Sequence, residues 1–185
     1  MLRLILLVLG LSGVVRLQAE FIESSLRAAD RLSSGAIVAS RPTTVSLIIP
    51  SDSFPASDRS PLLQIRMERV VEDASIAPFT QLFFSKKYIS DYQYALQRFF
   101  EVVDQRGGGA SRSEQMELTS VPSWDSLDQP RVLFFSYLST GEGHPYLVIR
   151  TQYDWEYKGG VHLFSYADAM ELQRLLYRFA YDFKS

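Results

Sequence analysis

The chain has 185 residues, 46% of them hydrophobic and 22% charged, a globular balance sized for one domain or two small units sharing a core. It contains no Cys and no Asn, which excludes disulfides, thiolate chemistry, cysteine zinc sites and N-glycosylation. Two histidines, His144 and His162, are too few for a histidine metal cage, and a formal charge of −2 offers no basic surplus to a polyanion.

Residues 1–19 read as a signal peptide. Met1-Leu2-Arg3 gives a positive start, Leu4 to Val15 is a run of twelve uncharged residues, and Leu17-Gln18-Ala19 ends on a small residue. The apolar run is short of the roughly 20 residues that a bilayer span needs. Export to a periplasm or the medium is therefore expected. The alternative is a mitochondrial presequence built on Arg3, Arg16, Arg27 and Arg31, against which Glu20, Glu23 and Asp30 count. Retention of the run as a signal anchor is the third option. Cleavage after Ala19 removes Arg3 and Arg16 and no acid, leaving seventeen basic against 21 acidic side chains.

Residues 20–35 form an N-terminal segment. Within it Phe21–Ser34 suits a short helix ending at Gly35, with Leu26, Ala29 and Leu32 apolar. Next come a strand over Ala36–Ser40, stopped by Pro42, and an apolar strand over Val45–Ile49. A third strand alternates in period two, with Leu63, Ile65 and Met67 on one face and Gln64, Arg66 and Glu68 on the other. A fourth covers Thr80–Ser85. A helix then follows, with Ile89, Tyr92, Leu96, Phe99 and Val103 in one stripe and Ser90 with Gln93 as its cap.

Residues 105–115 read as a linker around Gly107-Gly108-Gly109. Beyond it the pattern returns. Strands are expected over Met116–Ser120, Val132–Leu138, a stretch from Leu147 to Asp154, and Val161–Ser165. The closing helix carries Ala169, Leu172, Leu176, Phe179 and Phe183, capped by Ser165 with Asp168. At an offset of 80, Ser40-Arg41-Pro42 meets Ser120-Val121-Pro122, Phe84-Ser85 meets Phe164-Ser165, and Leu96, Arg98 and Phe99 meet Leu176, Arg178 and Phe179. At 84, Pro61–Arg66 meets Pro145–Arg150, a slip that a loop-length difference explains. The expected fold is α+β: a tandem ββββα repeat, residues 36–104 and 116–185, forming two antiparallel sheets that share a core and are braced by two helices. Alone, each unit buries too little surface, so each shelters the other's apolar face.

No nucleophile elbow, P-loop or dinucleotide fingerprint occurs in the sequence, and no cofactor is implied. Gly141-Glu142-Gly143-His144 reads as a hairpin turn rather than a catalytic loop, and His162 as a structural histidine. Asp154 and Glu156, near Lys158 and Gly159-Gly160, suit a solvated hairpin end, with Tyr153, Trp155 and Tyr157 packing on the other face. Arg98 and Arg178 flank the helical stripes and are expected to snorkel. Arg66 and Arg150, matched between the units, are the best binding candidates, since paired guanidinia grip anionic groups. The competing role is pairing with an acid such as Glu68.

Four strands and a helix, twice over, with Leu62–Arg66, Gln81–Ser85, Tyr146–Arg150 and Gly160–Phe164 at corresponding places, resemble the Pur and whirly-type single-stranded nucleic-acid-binding proteins. That resemblance implies two curved sheets that bind a single strand of DNA or RNA by stacking and cations, through Arg66, Arg150, Phe83, Lys86 and Lys87. Leader and acidic balance favour a different expectation: a non-enzymatic, exported module that binds a protein or other macromolecule. A small-molecule hydrolase with its site in a cleft between the units ranks third.

Overall fold

A computed structural model describes residues 18–31, 36–49, 60–68, 79–106, 113–126, 129–151 and 161–182. The apolar run of the expected leader, the Gly107–Gly109 stretch and the hairpin end expected over Tyr153–Gly160 lie outside the described residues.

The architecture is mixed α+β with antiparallel sheets and two helices. Strands β1 (Gln18–Ile22), β4 (Thr44–Ile49), β5 (Leu62–Glu68) and β6 (Phe79–Ser85) form the first sheet, in the order β1-β4-β5-β6. Helix α1 (Ile89–Arg106) follows it. The second sheet is ordered β10-β9-β8-β7, from β7 (Glu114–Ser126), β8 (Gln129–Ser139), β9 (Pro145–Thr151) and β10 (His162–Ser165). Helix α2 (Tyr166–Tyr181) comes next, and β2 (Arg27–Ala28) pairs with β3 (Arg41–Pro42) in a small ribbon.

Alternation explains the strands. Leu63, Ile65 and Met67 are buried while Arg66 and Glu68 are exposed. The buried set joins Val45, Leu47, Leu82 and Phe84 of the first sheet, Leu133, Phe135, Leu147, Ile149 and Phe164 of the second, and the inner stripes of both helices in one cluster. Each such side chain contributes about 1.5–3 kcal/mol by leaving water. Tyr92, Leu96 and Phe99 of α1 sit in it beside Leu172, Leu176 and Phe179 of α2.

Two sequence expectations are corrected. Phe21–Ser34 is not helical where described: Glu20–Ile22 lies in β1, Arg27–Ala28 in β2, and Ala29 forms a bridge. Long-range pairing outweighs the weak helical stripe. Ala29 exchanges two backbone hydrogen bonds of 2.8 Å with Leu163, adding the segment to the edge of the second sheet. Nor is Ala36–Ser40 a strand of the first sheet. Ile37 pairs in an isolated bridge to Arg31, with the Val38 amide on the Asp30 carbonyl at 2.9 Å, and β1 fills the place beside β4, with Glu20 opposite Leu47 and Ile22 opposite Val45. The Ser40-Pro42 match therefore joins segments with different roles. Strand β1 also includes Gln18 and Ala19, the end of the expected leader, and cleavage there leaves Glu20–Ile22 on β4.

Caps divide likewise. Ser165 caps α2, its hydroxyl accepting from the Asp168 amide at 3.2 Å, as the sequence implies. Ser90 caps nothing, because a 3-10 turn at Lys86–Tyr88 precedes α1 and is capped by Ser85, which accepts from the Lys87 amide.

The sheets meet along β6 and β7. Tyr92, fully buried, donates its hydroxyl proton to the Pro122 carbonyl at 2.6 Å and accepts from the Ser85 amide at 3.2 Å, while Ser123 donates to the Phe83 carbonyl. Pro122 lacks an amide proton and sits on the edge strand β7, where a sheet tolerates proline. Tyr92→Phe keeps the ring and leaves two backbone groups short of a partner, so it is expected to cost about 1–3 kcal/mol. The midpoint of urea unfolding measures it.

Candidate functional site

Strand pairing puts Arg66 and Arg150 each on the face of its sheet that is turned away from the main apolar cluster. Across the first sheet, rows of neighbours run Ile48–Leu62–Ser85, Ser46–Gln64–Phe83 and Thr44–Arg66–Gln81. The second sheet has Leu138–Tyr146–Ser165, Ser136–Val148–Leu163 and, one row on, Phe134 beside Arg150.

Each guanidinium lies over an aromatic ring. Arg66 stands 4.0 Å from the centroid of Phe79, and Arg150 stands 4.8 Å from that of Phe134. Neither forms an ion pair with a described residue, so the expected competition from Glu68 does not operate. A stacked guanidinium keeps its N–H groups available to an anion while its face and the ring form a planar platform. Phe79 and Phe134 were invisible as site residues in the sequence, since only the diagonal and direct cross-strand neighbours of the arginines distinguish them from core aromatics.

The other sequence candidates divide. Phe83 is only 9% exposed and packs with Ile48 and Leu62 at the closed end of the same face, so it is no stacking platform. Lys86 and Lys87 follow Ser85 in the 3-10 turn, with the Lys87 ammonium 5.0 Å from the Tyr88 ring. Ser85 lies four residues along β6 from the partner of Arg66, about 13 Å at strand rise. The lysines thus do not join the Arg66 platform. Between platform and closed end, Gln64 Nε2 donates to Gln81 Oε1 at 2.9 Å.

Two open clefts flank the N-terminal segment. One, of about 640 Å³, lies between Arg27, Ile37 and Ser40 and the turn carrying Thr140, Glu142 and His144. Gly143, at φ 78°, makes that turn possible, and the sequence reading of a hairpin there agrees with its position between β8 and β9. The exposed His144 lies 3.8 Å from Glu142, in a lining that also holds the hydroxyls of Ser40, Thr140 and Ser165. His162 is fully buried, stacked 6.2 Å from Phe164. No group of three metal-ligating side chains occurs among the described residues, and no described helix is long and apolar enough to cross a membrane.

The second cleft, of about 610 Å³, is walled by Glu20–Ser25 against Arg174 and Arg178. Nearby, Glu171 receives two hydrogen bonds of 2.8 Å from Arg174 and one from Ser24, tying the N-terminal segment to α2. Arg174 holds the Glu171 carboxyl below its ordinary value against the opposing pull of burial. A depressed folded-state pKa contributes stability above the ordinary carboxylate range, and this is lost as pH falls through the lowered value. Glu171→Gln is therefore expected to unfold more easily than the parent at neutral pH. That deficit should shrink in acid, as read from urea midpoints across the pH series.

Family models, curated proteins and solved structures, compared with the chain, give no match.

Proposed function

We propose that the chain is a non-enzymatic binding module built from two copies of a four-strand-plus-helix unit, and that it takes single-stranded nucleic acid on the outer faces of its sheets. Corresponding rows in the two sheets support the duplication: Ser46–Gln64–Phe83 beside Ser136–Val148–Leu163, and Ser85 beside Ser165 as the caps that follow. The displaced first strand alters the unit boundaries, and the β2–β3 ribbon interrupts the first unit; four strands in each larger sheet, followed by a helix, support the proposed duplication. One observation carries the binding reading: the matched arginines Arg66 and Arg150 each stack on a ring of a neighbouring strand, Phe79 on β6 and Phe134 on β8, with no acid partner among the described residues. Bases stack on such platforms whatever their identity, and the guanidinium edge meets the backbone phosphate. The acidic net charge counts against a long basic tract, and two local grips do not require one.

Titration of the chain with short labelled single-stranded oligonucleotides at moderate salt tests this. Saturable binding, with duplex of the same sequence much weaker, is the expected result. Absence of binding at low salt ends the reading.

A second reading, an exported module for a protein partner, draws on the leader and on exposed Tyr166, Met170, Tyr177 and Tyr181 along one side of α2. N-terminal sequencing of the native protein separates its export component: a start near Glu20 supports it, and a start at Met1 removes it.

A further inference from the structure

We infer that the two sheets have diverged, so that the first reads a base through the Gln64–Gln81 amide pair while the second only grips the strand. This rests on the nucleic-acid reading above. On the outer face of the first sheet the amide pair lies between two aromatic platforms. Phe21, 54% exposed, stands in the same row as Gln64 two strands away, about 10 Å at ordinary strand spacing. Phe79, with Arg66 over it, lies two residues along β6 from Gln81.

The hydrogen bond from Gln64 Nε2 to Gln81 Oε1 fixes the orientation of both amides. It leaves Gln64 Oε1 as an acceptor and Gln81 Nε2 as a donor, and neither is engaged by a described residue. The pair thus offers one acceptor and one donor from a half-open face, the two kinds of group that the exocyclic amine and ring nitrogen of adenine require. Bases to either side would stack on Phe21 and Phe79.

The second sheet has lost this arrangement. Val148 stands where Gln64 stands, buried with Leu138, Leu163 and Ala29. The N-terminal segment closes that part of the face: Ala29 extends the sheet edge at Leu163, Ile37 packs on the same apolar cluster, and Arg31 Nη1 reaches Gln115 Oε1 at 3.3 Å. Among the described residues, the far end of this face presents the Arg150 guanidinium over the Phe134 ring and no paired amides.

The test compares oligo(dA), oligo(dC) and oligo(dT) on the whole chain, on Gln64→Val with Gln81→Leu, and on Phe79→Ala. Gln64→Val installs what the second sheet already carries, so the fold should survive, which circular dichroism checks. The parent should prefer oligo(dA) over oligo(dT) by roughly five- to a hundred-fold, the span one bidentate base contact gives. The double amide variant should bind all three within about twofold of one another while keeping most of its affinity, since stacking tolerates any base. Phe79→Ala should weaken all three alike. If the parent shows no base preference, prefers thymine, or keeps its adenine preference without the amides, base reading is overturned and the binding module stands. If nothing binds, both fall.

Discussion

Phe99→Ala is expected to destabilise the fold by about 3–5 kcal/mol, the cost of emptying a fully buried aromatic position. Phe99 is completely buried on α1, and its ring centroid lies 6.3 Å from that of Tyr137 in the second sheet, 6.5 Å from Tyr166 at the start of α2 and 5.4 Å from Phe100. It thereby couples the helix after the first sheet to both elements of the other half. A domain of ordinary stability has about 5–15 kcal/mol in hand, so one truncation here removes a large share. Because the apolar cluster is continuous across the halves, unfolding of the variant should remain a single transition, coincident by tryptophan fluorescence and far-ultraviolet dichroism. Two separated transitions, one of them unmoved by the substitution, would show that the halves do not depend on a common interior. Tyr181→Ala, on an exposed position of α2, serves as the control and should shift the midpoint little.

Sequence patterns located nine of the elements, β4 to β10 and both helices, because in most of them the apolar spacing coincided with burial. Leu63, Ile65 and Met67 face the core as their spacing implies, and so do Leu172, Leu176 and Phe179. The failures share a cause. Residues 20–31 and 36–40 carry weak local patterns, and distant partners hold them: Val45 and Leu47 for β1, Leu163 for Ala29, Asp168 for the Arg27 amide at 3.2 Å. No local window contains those partners. The displaced helix cap has a related origin, since Ser85 is drawn into the seam where Tyr92 binds its amide. At the candidate site, Arg66 and Arg150 were legible as a matched pair, whereas Phe79 and Phe134 became visible only through strand register. Phe83 shows the limit of alternation: it lies on the outer face by parity and is nonetheless buried with Ile48 and Leu62.

Removing both guanidinia, as Arg66→Ala with Arg150→Ala, is expected to weaken single-strand binding by about a hundred-fold or more, if each charged contact to phosphate is worth roughly 1.5–3 kcal/mol. The stacked geometry makes the loss double at each site, because alanine removes the phosphate contact and also strips the cation from the Phe79 or Phe134 ring. Two controls separate these parts. Arg→Lys at both positions keeps the charge and loses the planar fork, so it should recover only part of the affinity. Salt dependence gives the sharper reading: each phosphate contact removed from a single strand lowers the slope of log K against log salt by about 0.7, so the alanine pair should lower it by about 1.4. Neither arginine is in an ion pair with a described residue, so the folded chain should keep its urea midpoint within about 0.5 kcal/mol. A fall in affinity with no change in slope would mean that the arginines do not touch phosphate, and the two platforms would lose their place in the binding face.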